Sequence, residues 1–433
     1  MSAMSLDDST SVRSDVVLDD EARAEAIEFV LGLGRALHGY GASAPDVEHA
    51  MEQSSRALGL HGEFFATPTS IFATFHRGKS AAHDSTTHLM RVEPGSADLG
   101  RRARVDEVIE DVHRGRLAAH EGRILLAAIQ TDPAPYPRWL VIACSALISA
   151  SAARFFDLAP MEIVVAGVVG LVVELLQLAS RGSRRVKRVQ LLASSFLAAA
   201  LVSLWAGMRG APTPFQVIVA GLITLLPGLR LTTAMSELAL DHLAAGTARF
   251  LGSMMTLIAL LFGAALGVQL GALFPDTVSL AELAAERSEM PPWTLYAALA
   301  IAPPCFGVLF RALPRDLPWI LTSCVLAFVG ARVGADLLGN GFEAALGGLL
   351  VGLASNLYAR TLNRPAATTL LPGILLLVPG SIGFKSLFNL LERDVITGIE
   401  TAFQVATVGM SIVGGLFVAN VIIRPRRLDR AGA

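Results

Sequence analysis

Along this 433-residue chain, apolar and polar positions follow two regimes that meet near residue 138. Before that point the apolar positions are short and periodic. Ile27, Val30, Leu31, Gly34 and Leu37 recur on one helical face, which predicts a helix over 21–38. Gly39-Tyr40-Gly41 breaks it. Ser43 then opens a second helix, with Asp46 three residues on as an acidic variant of the capping box. Val47, Ala50, Met51, Ser54 and Leu58 form its apolar face, and Gly59 is its stop. Glu63–Thr67 and Ile71–Phe75 read as strands around Pro68, and His88–Glu93 as a third. Further helices fit 98–113 and 117–130. The pattern predicts a small mixed α/β domain over 21–132, after an acidic segment 1–20 expected to be disordered.

From Trp139 onward the charges retreat into short clusters between long apolar runs. A hydrocarbon core about 30 Å thick needs a helix of about 18 or more apolar residues. Ten spans are expected by hydropathy, near 138–153, 160–179, 189–208, 213–229, 248–272, 294–311, 317–336, 341–360, 367–380 and 396–423. The expected fold class is an α-helical polytopic membrane protein with a small cytoplasmic α/β N-terminal domain. A first five-span unit occupies 138–273, a linker 274–292, a second unit 293–424 and a basic tail 425–433.

Basic residues set the orientation. Arg181, Arg184, Arg185, Lys187 and Arg188 follow the second span, Arg311 and Arg315 the sixth, and Arg360 and Arg364 the eighth. Arg424, Arg426, Arg427 and Arg430 close the chain. If the first span starts inside, all of these fall in the cytoplasm, whereas Asp276, Glu282, Glu286 and Glu289 fall outside. Both termini are therefore expected in the cytoplasm. The first twenty residues also lack a basic start and an apolar core, so no cleavable signal peptide is expected.

The two halves echo each other at an offset of 152 residues. Gly221 matches Gly373, Leu225 matches Leu377, and Pro227-Gly228 matches Pro379-Gly380. Gly246 matches Gly398 and Gly263 matches Gly415. Two units of five spans must enter from opposite sides, which predicts an inverted-topology repeat. The fourth and ninth spans are short and end in Pro-Gly. Proline removes a backbone donor and glycine tolerates unwound chain, and freed backbone groups survive in a membrane only against protein or a water-filled cavity. Paired breaks of this kind point to a midplane substrate site. The candidate binding residues are Pro227, Gly228, Thr232, Ser236, Glu237, Pro379, Gly380, Ser381 and Lys385. Asp241, Arg249, Asn389 and Asp394 lie nearby. The alternative is a pair of structural kinks.

Glu174 sits deep in the run Val168–Leu178, where an ionised carboxylate costs about 2.5–3.5 kcal/mol. Glu400 lies about one turn inside the last span. Both are candidate proton-coupling residues, or carboxylates paired for structure alone. Asn356 reads as a helix–helix hydrogen-bonding residue.

Composition agrees with this division. Charged residues make up 17% of the chain, and mean hydropathy is +0.55. The formal net charge of -2 offers no nucleic-acid footprint. Cys144, Cys305 and Cys324 all fall in apolar runs at no metal or redox spacing. His83 and His88 flank Asp84, but no metal motif accompanies them, so no metal is expected. No nucleotide-binding loop or hydrolase elbow is present, so neither a cofactor nor enzymatic activity is expected.

Four stretches carry a family resemblance: GYGASAPDVEHAMEQSSRALGL (39–60), EFFATPTSIFATF (63–75), LLPGLRLTTAMSELALDHLAAGTARFLG (225–252) and LVPGSIGFKSLFNLLERDVITGIETAF (377–403). Through these the chain resembles the bacterial threonine/serine exporters over about 21–424. The resemblance implies a cytoplasmic N-terminal domain joined to about ten spans, in the cell membrane. It implies small amino-acid substrates, threonine and serine, exported in exchange with protons. Relatives split into two chains handle small dicarboxylates, which leaves such a substrate as the alternative. A membrane-anchored enzyme or sensor is a third reading. The first-half motif departs from the family at Glu237, where Asp is common, and at Leu240-Asp241-His242, where a Gly-Asp pair is usual.

Overall fold

The computed structural model describes residues 19–77, 85–180, 182, 184–209, 214–269, 290–339, 341–377, 380–391 and 394–425. The segment 1–18, His83 with Asp84, Arg181, most of the 274–292 linker, Pro379 and the basic tail beyond Pro425 lie outside the described residues.

Local chemistry sets the N-terminal elements. Helix α1 (Asp20–Gly39) starts where the Asp19 carboxylate accepts the Ala22 N–H at 2.7 Å. Helix α2 (Ala44–Ala57) is capped by Ser43, as its sequence predicts. Strands β1 (His61–Thr67), β2 (Ser70–His76) and β3 (Ser85–Arg91) form an antiparallel sheet in the order β1-β2-β3. The third strand begins three residues before the expected His88. Helices α3 (Leu99–His113) and α4 (Ala119–Thr131) complete this layer. One sheet face, with Ala66, Ile71, Ala73, Phe75 and Met90, joins Phe29, Val30, Leu33 and Met51 in a common core.

Twelve helices follow among the described residues. The first six are α5 (Arg138–Phe155), α6 (Pro160–Ser180), α7 (Arg184–Met208), α8 (Phe215–Gly221), α9 (Gly228–Ala239) and α10 (Leu243–Val268). The second six are α11 (Trp293–Leu309), α12 (Leu317–Leu338), α13 (Glu343–Leu362), α14 (Ala367–Leu377), α15 (Gly380–Leu391) and α16 (Val395–Ile422). Seven stretches are long and apolar enough to cross a membrane, with Trp293–Leu309 as a shorter apolar helix. Large apolar side chains such as Leu251, Met255, Phe262 and Phe403 stay exposed on them. The chain is a multi-pass membrane protein.

The expected spans 213–229, 294–311 and 341–360 are not among these seven, and the fourth is broken. The expected fourth span, 213–229, is helical only through Gly221. Residues 222–227 leave the helix, and α9 begins at Gly228 with Pro227 as its N-cap. The break therefore lies inside the element, because a proline without an N–H fits the start of a helix better than its interior. In the ninth span, α14 is described to Leu377 and α15 from Gly380, and the Pro379 of the predicted break lies outside the described residues. The basic cluster after the second span, placed in a loop by hydropathy, is the first turn of α7 from Arg184.

Packing within the two sets of helices runs in parallel. A Cβ on Gly246 would lie 2.7 Å from Leu238 Cγ, and one on Gly398 would lie 2.5 Å from Leu390 Cγ. Gly263 likewise backs onto the Leu192 carbonyl of α7, and Gly415 onto the Ala345 carbonyl of α13. Between the sets, α5 packs on α11, α9 on α16, α10 on α15, α8 on α15 and α14 on α9. Exchanging the two sets converts each of these contacts into another of the same group or into itself.

Candidate functional site

The break before α9 opens onto α15. Gly228 and Gly380, the first residues of α9 and α15, approach so closely that a Cβ on Gly380 would lie 3.0 Å from Gly228 Cα. A larger residue there would have to push the Gly228 backbone back by a few tenths of an ångström. The N-terminus of α9 therefore lies against Gly380 of α15, with N–H groups that lack an intrahelical acceptor and the partial positive charge of the helix dipole. Such a point favours a carboxylate.

The polar side chains around it come mainly from α9 and the stretch before it. Thr232 is buried, and its hydroxyl donates to the Gly228 carbonyl at 3.3 Å. The Thr224 hydroxyl is buried with no hydrogen-bond partner in the protein, and it lies in the non-helical stretch. Pro227 is buried, Ser236 and Ser381 are half-buried, and Lys385 is exposed on α15. One wall is aromatic: Phe215, at the start of α8, stacks on Phe388 at 4.0 Å and on Phe384 at 5.6 Å. Sequence reading missed Thr224 and this aromatic wall. The Phe384/Phe388 spacing of four residues on α15 was the available signal.

The carboxylates divide. Glu174 is buried in α6 and accepts from the Gln177 amide at 3.2 Å. Glu400 is exposed on α16, away from the buried contacts of that helix. Glu237 is fully buried but engaged. It holds Arg249 in a bidentate pair at 2.8 and 2.9 Å, and it accepts the Ala44 N–H at 3.0 Å. Ala44 is the first residue of α2, so a membrane-region carboxylate binds the N-terminus of a helix in the N-terminal layer. By helical rise, Glu237 sits about 14 Å along α9 from Gly228.

Other contacts fasten the same layer to both sets of helices. His242 Nδ1 lies 3.4 Å from Glu48, whose carboxylate also accepts the Ala66 N–H at 2.7 Å. His38 donates from Nε2 to the Pro68 carbonyl at 3.0 Å. Burial holds His38 below its ordinary pKa, with Arg249 pushing the same way and the Pro68 bond and Glu237 opposing. Burial pushes the Glu48 carboxyl up, against the Ala66 N–H and His242. On the other set, the Leu99 and Gly100 N–H groups donate to the Phe310 and Arg311 carbonyls at 2.9 and 3.1 Å. Asp98 pairs with Arg311 at 3.0 Å, and the Tyr136 hydroxyl donates to the Ala312 carbonyl at 2.8 Å. Among the described residues no cluster of three or more metal-ligating side chains forms. Asn356 bonds Asn420 and the Ile423 carbonyl, both at 2.8 Å, as a helix–helix bridge.

Comparisons with known proteins agree along most of the chain. Residues 28–271 match the family described as "Putative threonine/serine exporter", and residues 295–422 match "Threonine/Serine exporter, ThrE". Among curated proteins, the chain is similar to Pheromone-regulated membrane protein 10 of Candida albicans (strain WO-1). The two are 25% identical over 394 residues, which covers 89% of this chain and 35% of that protein. It is similar to the Saccharomyces cerevisiae (strain YJM789) protein of the same name, 25% identical over 390 residues, covering 89% of this chain and 49% of that one. A Schizosaccharomyces pombe protein described as uncharacterized is 24% identical over 389 residues, covering 88% and 49%. The chain thus spans between 35% and 49% of the length of these relatives. They are fungal, whereas the sequence motifs resembled bacterial exporters. No solved structure matches the chain.

Proposed function

Because the chain belongs to the threonine/serine exporter family, we propose that it is a secondary active transporter that exports threonine and serine by alternating access, driven by protons. The meeting of the α9 N-terminus at Gly228 with Gly380 of α15 carries this reading. It offers the substrate carboxylate the free N–H groups of α9 in a place where lipid cannot satisfy them. Thr224, Thr232, Ser236 and Ser381 line the approach and suit a hydroxyl-bearing amino acid. Two five-span units, 138–273 and 293–424, form an inverted pair, and the matched glycine contacts and reciprocal packing support that arrangement. Exchange of their conformations opens the site to one side and then the other. The protein lies in the cell membrane with both termini in the cytoplasm. Glu174, a buried carboxylate inside an apolar helix, is the coupling residue of this scheme.

One observation favours a second substrate. Glu237 is neutralised by Arg249 and bound to Ala44, so it is not available to a substrate ammonium group. A site built on a helix N-terminus, with Lys385 on α15, suits a small dicarboxylate as well.

Proteoliposomes test both readings together. Counterflow of labelled threonine and serine, with none of succinate, is expected from the wild type, and succinate counterflow alone would select the second substrate. Gly380→Ala should abolish counterflow while leaving membrane insertion intact. Glu174→Gln should keep counterflow but lose accumulation driven by a pH gradient. If Gly380→Ala transports normally, the substrate binds elsewhere.

A further inference from the structure

Strands β1, β2 and β3 turn one face onto α1 and α2. Their register sorts the opposite face into rows. Thr67, Ser70 and Arg91 lie nearest the β1–β2 turn. Phe65, Phe72 and Leu89 come next, then Glu63, Thr74 and Thr87. The middle row is wholly apolar and open: Phe65 is 49% exposed, Phe72 39% and Leu89 67%. The two phenyl rings lie 6.2 Å apart. A sheet with one face in water normally alternates polar side chains outward. Three large apolar side chains aligned across all three strands form a patch that marks an interaction surface.

The fold indicates what covers it. The turn end of the sheet is held at the start of α10: Glu48 reaches both Ala66 and His242, and Ala245 shares a core with Ala66. At that same level begins the exposed apolar stripe of α10, which runs through Leu243, Leu251, Met255, Ile258, Phe262 and Leu266. This stripe is the lipid-facing side of a spanning helix. The apolar row lies one residue beyond Ala66 along β1 and two beyond the row nearest the turn, or about 3–7 Å. The headgroup layer on each side of the hydrocarbon is itself about 5–8 Å thick. The row therefore falls at headgroup depth beside α10. Charge has the matching polarity, with exposed Arg91 on the row nearer the bilayer and exposed Glu63 on the row beyond.

We propose that this sheet face is a membrane-surface contact, with Phe65, Phe72 and Leu89 seated among the headgroups of the leaflet where α10 begins and Arg91 on anionic lipid. Such a contact combines apolar burial with electrostatic attraction. It would tie the N-terminal layer to the bilayer as well as to the helices. It rests on the lipid-facing side of α10 and is independent of the transported substrate.

The test uses the full chain in nanodiscs of phosphatidylcholine with phosphatidylglycerol. A bimane probe is placed on the same sheet face by Thr87→Cys, with Arg56→Cys at the far end of α2 as control. Cys144, Cys305 and Cys324 are buried and stay in place. A headgroup nitroxide lipid should quench the Thr87 probe several-fold more than the Arg56 probe, and aqueous iodide should do the reverse. Phe65→Ser with Phe72→Ser and Leu89→Ser should erase the difference without shifting the melting temperature, because all three side chains are exposed. Equal lipid quenching at both positions would overturn the proposal. So would a Leu89→Cys variant that crosslinks between chains without lipid quenching, which would assign the face to a second copy.

Discussion

At the scale of single residues, the paired carboxylates decide most. Glu237 has the profile of a substrate residue in the sequence, being acidic and close to a helix break, yet its oxygens are taken by Arg249 and Ala44. His38, close enough to feel both Glu237 and Arg249, makes the junction sensitive to pH. Its folded pKa is lowered, so the stability it contributes is fully present above its unfolded value of about 6.5 and is lost as the pH falls through and below it. Glu48, with a raised pKa, acts in the opposite sense around and above the ordinary carboxylate range. The melting temperature of the detergent-solubilised protein should therefore drop between pH 7.5 and 5.5. His38→Gln, which can still donate to the Pro68 carbonyl, should flatten that drop. An unchanged slope in His38→Gln would remove this histidine from the account.

At the scale of elements, the N-terminal layer is fastened to two turns, one from each set of helices: the α9–α10 turn and the α11–α12 turn. Both need left-handed backbone, at Asp241 (φ 62°) and Arg311 (φ 54°). The second junction rests on a close approach. A Cβ on Gly100 would lie 2.5 Å from the Arg311 carbonyl oxygen. Gly100 is in the first turn of α3, where Ala alone would favour the helix by up to about 1 kcal/mol. Gly100→Ala should therefore leave α3 formed but separate it from the turn. The expected result is faster hydrogen exchange at the Leu99 amide and new tryptic cleavage after Arg311 or Arg315. Unchanged protection at Leu99 would mean that the junction yields without opening.

At the scale of the whole molecule, the junctions bear on topology. One face of the N-terminal layer meets residues 240–242 and 310–316, so these two turns lie on one side of the membrane. That is the side on which the positive-inside rule puts both turns if the first span starts in the cytoplasm. A reporter fused to the C-terminus should read as cytoplasmic, and a cysteine introduced within 274–289 should react with an impermeant reagent from outside. The reverse pattern would invert the orientation and reassign the direction of transport.

Much of this architecture is legible in the sequence because it rests on local physics. Helical periodicity, a serine cap and alternating strands put α1, α2, β1 and β2 within a few residues of their places. Apolar length marks the membrane class, and Pro227-Gly228 marks a break. Local pattern does not tell which surfaces meet. The Ala44 N–H and Glu237 carboxylate are 193 residues apart in the chain, so nothing near either one encodes the partnership. The same holds for the contact between Gly228 and Gly380, for Phe215 stacking on Phe384 and Phe388, and for the exposure of Glu400 beside the burial of Glu174. The sequence by itself determined most of the elements, the membrane class and the break at Pro227-Gly228, since each follows from short-range sterics and hydrophobicity. The tertiary structure alone decided which carboxylate is consumed by a junction and which helix the start of α9 meets, because both depend on how distant helices pack.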